Sequence, residues 1–146
     1  MKNNKFLLIV ILGLMSAIGP FSIDMYLPAF TDIASHLNTS IDKVMLTLTS
    51  FFLGISFGQI IYGPLLERYG RKKPLYFGLS LYLLATMGCA FANSIQLLIA
   101  LRLLQALGGC VGMVSSRAMV RDLFSSNEIA KMFSTLMLVV AVSPII

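Results

Sequence analysis

Residues 44–66 read VMLTLTSFFLGISFGQIIYGPLL, a stretch without a single charged side chain. Two further charge-free stretches, Phe6–Ile23 and Pro74–Leu101, lie on either side of it in the chain. An α-helix crosses the hydrocarbon core of a membrane with about 20 mostly apolar residues. These stretches therefore predict transmembrane helices rather than the strands of a soluble core.

The composition supports the same class. Hydrophobic residues make up 58% of the chain and charged residues only 12%, whereas a soluble domain carries about 25% charged residues. The net charge is +5, but the cations lie in short segments between apolar stretches, which indicates a lipid bilayer as the surroundings and excludes nucleic acid as a partner. Cys89 and Cys110 both lie within apolar stretches without a Cys/His cluster, so we expect reduced, buried thiols and no metal site.

The polar breaks between the apolar stretches predict an all-α membrane protein with four transmembrane helices and most of a fifth. We place the helices at about residues 6–29, 41–66, 74–92, 94–120 and 129–146. Thr39–Asp42 and Ser125–Glu128 have the spacing of capping boxes at the starts of the second and fifth helices. Because the fifth stretch is still apolar at Ile146, we expect the chain to be the N-terminal part of a longer protein.

The first helix has an alternative interpretation. Met1–Lys5 followed by an apolar stretch resembles a signal peptide. We favour a retained helix, because no Ala-x-Ala site follows and an apolar segment continues after Asp24 as far as Thr31.

The distribution of cations predicts the orientation. Basic residues are concentrated between the second and third helices (Arg68, Arg71, Lys72, Lys73) and in the region where the fourth helix ends and the fifth begins (Arg117, Arg121, Lys131). The other two connections hold few cations, with Asp32, His36 and Asp42 beside Lys43 in the first and no charge in the second. The positive-inside rule then places the N-terminus and both basic connections in the cytoplasm.

Small residues mark the expected packing faces. Ser50, Gly54 and Gly58 lie four residues apart in the second helix, and Gly108 and Gly112 do so in the fourth. Such spacing allows two helix backbones to approach closely in a membrane.

Two ionisable residues lie within the apolar stretches. Arg102 is about eight residues, or roughly 12 Å, below the outer end of the fourth helix. Asp24 is in the outer part of the first helix, so both residues fall in the same half of the membrane. An ionisable group in hydrocarbon costs about 2.5–3.5 kcal/mol and normally faces a partner or a water-filled cavity. The alternatives are a snorkelling or ion-paired arginine and an acid in headgroup water.

The segment Gly63–Leu75 forms a charged turn between two helices. Gly70 can adopt a left-handed conformation that ends the second helix, and Pro74 suits the first turn of the third. The segment resembles the signature loop of the major facilitator superfamily, Gly-x-Leu-Ala-Asp-Arg-x-Gly-Arg-Lys, with Glu67 in place of the usual Asp.

Three other segments extend the resemblance over nearly the whole chain. Leu98–Gly109 is similar to the fourth-helix motif of proton-driven antiporters, with Ala106 where that motif has Gly. Pro20–Ala29 and Arg117–Asp122 resemble the bicyclomycin-resistance-like (Bcr/CflA) drug/proton antiporters of this superfamily.

The resemblance implies the roles of individual residues. Asp24 and Arg102 would serve proton coupling or substrate binding. Glu67, Arg71 and Asp122 would form a cytoplasmic charge cluster that stabilises one state. Gly63, Gly70 and Pro144 would belong to conformational motifs, although the fifth-helix motif that Pro144 would begin is incomplete here.

The expected function is proton-coupled export of small drug-like molecules across the cytoplasmic (inner) membrane, with this chain as the N-terminal part of the transporter. The implied partners are the substrate, protons, the bilayer and the remaining C-terminal part, and no cofactor other than the proton is expected. The alternatives are a non-transporting membrane scaffold or a gene remnant. A membrane enzyme is disfavoured, because His36 is the single histidine and lies in a polar outer connection.

Overall fold

The computed structural model describes residues 2–145, and these residues are almost entirely helical. The α-helices are α1 (Lys2–Asp24), α2 (Phe30–His36), α3 (Ile41–Tyr69), α4 (Lys72–Ala90), α5 (Ile95–Leu123) and α6 (Ser126–Val142). Two 3-10 turns, Leu27–Ala29 and Ser143–Ile145, follow α1 and α6. The predicted all-α class is confirmed.

Three helical segments within the described residues are long and apolar enough to cross a membrane. They are residues 4–36, 41–69 and 95–123. The shorter helices α4 and α6, of 19 and 17 residues, correspond to the third and fifth predicted transmembrane helices. Their crossing of the bilayer stays a prediction.

The first predicted helix is interrupted beyond Asp24. The backbone N–H groups of Tyr26 and Ala29 donate to carbonyls three residues earlier, at 3.1 Å in both cases, which is the tighter 3-10 pattern. Pro28 lies inside this turn and has no N–H to donate to an α-helical ladder. The chain then resumes as α2, so that a short helix follows α1 where the sequence indicated a connection.

The caps of the helices follow the sequence only in part. At the start of α6 the carboxylate of Glu128 accepts from the Ser125 backbone N–H at 3.5 Å, which is the Glu half of a capping box, and also from the Ser125 hydroxyl at 3.2 Å. The box predicted at Thr39–Asp42 is wrong. Ser40 is the N-cap of α3 and makes no side-chain cap bond, while the Thr39 N–H donates to the Ala34 carbonyl at 2.9 Å.

Helix α5 is the centre of the bundle, and it packs against α3, α4 and α1. Glycines allow these close contacts. A Cβ atom on Gly54 would lie 2.6 Å from Ala106 Cβ, and one on Gly112 would lie 2.6 Å from the Met15 carbonyl oxygen. The Ser50 hydroxyl donates to the Ile99 carbonyl at 2.9 Å on the same α3 face. The small-residue faces predicted for the second and fourth helices are therefore confirmed as packing faces.

Candidate functional site

A large cavity opens between α1, α2, α4 and α5. Its volume is about 860 Å³, within the range of pockets that hold drug-sized molecules. Apolar side chains such as Leu14, Ile18, Phe21 and Leu98 form most of the wall. The polar lining residues are Ser22, Tyr26, Asp32, His36, Tyr82, Thr86, Arg102 and Gln105.

Arg102 is the buried cation of this cavity. Only 4% of the residue is exposed, so the side chain does not snorkel to the membrane surface. Its Nη1 donates to Gln105 Oε1 at 2.9 Å, one turn further along α5. The guanidinium carbon lies 3.5 Å from the centre of the Tyr26 ring and 5.1 Å from the centre of the Phe51 ring. The electron-rich faces of these rings stabilise a positive charge that has left water.

Tyr26 reaches this position because of the break after α1. Its ring covers Arg102 while its hydroxyl lies 2.7 Å from Thr47 Oγ1 on α3. A T-shaped contact with Phe30, with ring centres 5.3 Å apart, supports the ring from α2. The turn between α1 and α2 therefore positions an aromatic ring over the arginine of α5.

A strip of hydrogen bonds crosses the cavity wall from α5 through α4 to α1. Gln105 Nε2 donates to Thr86 Oγ1 at 2.9 Å, and Thr86 Oγ1 donates to the Tyr82 carbonyl at 2.7 Å. The Tyr82 hydroxyl lies 2.7 Å from Ser22 Oγ, which donates to the Ile18 carbonyl at 2.8 Å. This strip fixes Gln105 in the orientation that presents its carbonyl oxygen to Arg102.

Asp24 lies at the last position of α1 and is half-buried. The described residues that line the cavity include Tyr26 but not Asp24. The hydrogen bond shown for the guanidinium of Arg102 goes to Gln105. A partnership between Asp24 and Arg102 in proton coupling therefore stays a prediction.

Asp32 and His36 have a different position from the one that their sequence indicated. Both lie on α2, one helical turn apart, and both line the cavity. The sequence predicted a polar outer connection for them. The difference arises because the chain continues as a helix after the 3-10 turn and carries these side chains back over the cavity.

At the C-terminal end of α5, an ion pair links this helix to the connection between α3 and α4. Nε of Arg71 donates to Oδ2 of Asp122 at 3.0 Å, and Nη2 of the same arginine contacts the same oxygen. Glu67 is exposed, and within residues 2–145 the structure shows no hydrogen bond or ion pair for it. The structure thus brings together two of the three residues that the resemblance grouped as a charge cluster.

The three conformational-motif residues have separate positions. Gly70 ends α3 with φ of 79°, a value that glycine adopts without strain. Gly63 lies within α3, and a Cβ there would meet nothing within 4 Å. Pro144 lies in the 3-10 turn after α6. A role in conformational change stays a prediction for all three.

Sequence reasoning missed four polar lining residues: Ser22, Tyr26, Tyr82 and Thr86. Ser22 and Tyr26 both lie two residues from Asp24, inside the segment that carries the resemblance. Tyr82 and Thr86 lie four residues apart, the spacing of one helical face. That spacing is a weak signal, because it does not indicate which helix the face contacts.

The sequence of this chain is similar to those of known membrane transporters. The sequence description of the Major Facilitator Superfamily matches residues 12–146. The uncharacterized MFS-type transporter YdgK of Bacillus subtilis is 42% identical over 144 residues, which are 99% of this chain and 36% of the relative.

Two further relatives have names that refer to drug resistance. A bicyclomycin resistance protein homolog of Haemophilus influenzae is 38% identical over 99% of this chain and 36% of its own length. Multidrug resistance protein D of Escherichia coli is 32% identical over 95% of this chain and 35% of its own length. The chain spans about a third of the length of these curated relatives. With its helical bundle, its apolar cavity and a match to residues 12–146, the chain belongs to the major facilitator superfamily of membrane transporters.

Proposed function

We propose that the full-length protein exports small drug-like molecules across the cytoplasmic (inner) membrane in exchange for protons. The observation that carries this proposal is the cavity of about 860 Å³ with a buried arginine in its wall. A group that is costly to bury is expected to line a transport pathway. The names of the resistance-related relatives support a drug-like substrate.

This chain would supply one wall of the pathway. Transporters of this architecture hold substrate near the membrane midplane, between two repeats that rock against each other. The polypeptide beyond this chain would supply the opposite wall. The N-terminus would lie in the cytoplasm, since the basic connections follow α3 and α5.

The proposed coupling involves Asp24 and Arg102. Asp24 is two residues before Tyr26, whose ring covers the guanidinium of Arg102. Protonation of Asp24 from the outside would remove a negative charge near this turn. It would thereby weaken the electrostatic attraction of Asp24 for Arg102 or for a bound cation. A proton shifts the equilibrium between inward- and outward-open states only if its affinity differs between them.

The cytoplasmic ion pair would stabilise one of these states. Arg71 precedes α4 and Asp122 lies in the last turn of α5, so their contact ties the α3–α4 connection to the end of α5. Separation of the pair would accompany opening on the cytoplasmic side.

The test is proton-driven efflux of a fluorescent drug by the full-length protein in membrane vesicles. We expect Asp24→Asn and Arg102→Ala to abolish the dependence of efflux on the proton gradient. The matched control is Arg121→Gln, which removes an exposed arginine of α5 outside the cavity. Thermal melting of each purified variant distinguishes lost coupling from lost folding.

Coupling equal to that of the wild type in folded Asp24→Asn and Arg102→Ala proteins would refute the proposed roles. Absence of any energy-dependent efflux by the wild-type protein would instead favour the non-transporting scaffold.

A further inference from the structure

The hydroxyl groups around the cavity already donate their protons in hydrogen bonds within the protein. Ser22 donates its single proton to the Ile18 carbonyl, so the Tyr82 hydroxyl must be the donor in the contact between them. Thr47 likewise donates to the Val44 carbonyl at 2.6 Å, which makes Tyr26 the donor to Thr47. Thr86 donates to the Tyr82 carbonyl. These hydroxyl groups retain acceptor lone pairs but no free proton.

Arg102 differs from these hydroxyl groups. Its Nη1 donates to Gln105, but Nε and Nη2 are buried and have no hydrogen-bond partner among the described residues. Buried donors without a partner carry a desolvation cost that a bound acceptor would remove. The residue lines the cavity, so the cavity is the side from which an acceptor would reach these nitrogens.

The two free nitrogens form one edge of the guanidinium. Nε–H and the adjacent Nη2–H are a planar fork that matches carboxylate-like oxygens. Arg71 of the same chain uses the equivalent two nitrogens to hold a single oxygen of Asp122. On Arg102 the corresponding oxygen is not supplied by any described residue.

The ring of Tyr26 lies against the guanidinium that carries this fork, with its centre 3.5 Å from the guanidinium carbon. Tyr26 lies between α1 and the 3-10 turn, and the bond of its hydroxyl to Thr47 ties it to α3. Because both nitrogens of the fork are buried in this structure, a ligand reaches them only when side chains around the guanidinium, such as Tyr26, move aside. The aromatic and aliphatic side chains Phe21, Ile18 and Leu98 would then surround the body of a bound molecule.

We propose that the Nε and Nη2 edge of Arg102 is a subsite for a hydrogen-bond acceptor, namely a carbonyl, nitro or carboxylate group, on an apolar aromatic molecule. The inference rests on the proposed function, because it names the chemical class of the exported substrate. Cationic molecules without such an acceptor gain nothing from this subsite.

The test measures binding to purified full-length protein, separately from transport. Radiolabelled 2-naphthoate is the probe. Two competitors are compared for their ability to displace it. One is 2-acetylnaphthalene, which carries a carbonyl oxygen, and the other is 2-isopropenylnaphthalene, which has the same shape with a methylene group in place of that oxygen. We expect the ketone to displace the probe at an about tenfold lower concentration than the alkene, the effect of a hydrogen bond to a charged donor.

Variants test the fork itself. Arg102→Lys keeps the positive charge but replaces the planar fork by an ammonium group, and we expect it to weaken 2-naphthoate binding about tenfold. Arg121→Gln is expected to bind the probe as the wild type does. The comparison of ketone and alkene needs only the wild-type protein, so it remains decisive if Arg102→Lys fails to fold.

Equal displacement by ketone and alkene, or unchanged 2-naphthoate binding by folded Arg102→Lys, would overturn the inference. The latter result would be expected if another part of the polypeptide filled the fork. Coupled drug efflux together with acceptor-independent binding would leave the proposed function standing and reject the subsite. Acceptor-dependent binding without efflux would reject the proposed export and leave the acceptor-binding fork standing.

Discussion

Arg102 occupies a buried position whose visible contacts are neutral. Its hydrogen-bond partner is an amide oxygen of Gln105, and its face lies on the ring of Tyr26. A cation–π contact in a desolvated site is worth about 2 kcal/mol, which is comparable to the lower estimates for burying an arginine in a membrane. Tyr26 therefore compensates much of the cost of Arg102 without neutralising its charge. The positive charge is therefore retained in the wall of the cavity.

Gly108 is one of the residues at which the bundle leaves no room for a side chain. A Cβ there would lie 2.5 Å from the Tyr82 backbone nitrogen and 2.6 Å from the Gly78 carbonyl oxygen. Both atoms belong to the α4 backbone and cannot move independently. We expect Gly108→Ala to destabilise the protein by about 1–3 kcal/mol, the usual cost of overpacking. A thiol-reactive dye that reports exposure of Cys89 and Cys110 during heating would measure the change.

The matched control for Gly108→Ala is Gly63→Ala. Gly63 also lies within a helix, but open space surrounds its Cα hydrogens. Alanine at a helical position is favoured over glycine by about 0.5–1 kcal/mol, so an unchanged or slightly higher melting temperature is expected. Similar melting temperatures for the two variants would contradict the assigned packing of α4 on α5.

The elements differ in what holds them in place. Helix α5 is surrounded by α3, α4 and α1, and its small residues bring these backbones close. Helix α2 is short, has one buried residue, Ala34, and contacts mainly α3. The α2 segment with the 3-10 turn before it therefore has few packing constraints compared with α4 and α5, and we expect it to move more easily than the rest of the cavity wall.

The ion pair between Arg71 and Asp122 joins the α3–α4 turn to the end of α5. The side chains are 25% and 49% exposed, so solvent weakens the attraction. A double-mutant cycle with Arg71→Gln and Asp122→Asn should give a coupling energy of about 0.2–1 kcal/mol, measured by thermal melting. Added salt should reduce it further.

Additive effects of Arg71→Gln and Asp122→Asn would show that the contact contributes nothing to stability. Its value would then lie only in the balance between transport states. A coupling energy well above the expected range would instead indicate that the pair is desolvated when the rest of the polypeptide is present.

On the scale of the whole molecule, the basic ends of the helices predict the orientation in the membrane. Asn93 precedes α5 and Lys73 lies in the first turn of α4, at opposite ends of the bundle, and both are exposed. In a protein with Cys89→Ala and Cys110→Ala, Asn93→Cys should react with a membrane-impermeant maleimide in intact cells. Lys73→Cys should react only after the membrane is permeabilised, and the reverse pattern would refute the cytoplasmic N-terminus.

The fold was largely predictable from local patterns. Long charge-free stretches predicted helices, and the spacing of Gly54, Gly58, Gly108 and Gly112 predicted which faces pack closely. Both signals depend on neighbouring residues or on one helical face, so the sequence displays them directly. The predicted capping box at Thr39–Asp42 failed because α3 begins one residue later than the pattern requires. Ser40, and not Thr39, holds the N-cap position.

The sequence by itself determined the all-α class, the two basic connections and the presence of an arginine that is costly to bury within an apolar helix. Each of these follows from hydropathy and charge along a short stretch. Only the tertiary structure decided what surrounds that arginine. Tyr26 meets Arg102, and Thr86 meets Gln105, through the rotation and crossing of α1, α4 and α5 and through the break after Asp24. Contacts between side chains as far apart in sequence as Ser22 and Tyr82 depend on how whole helices pack, which no local pattern contains.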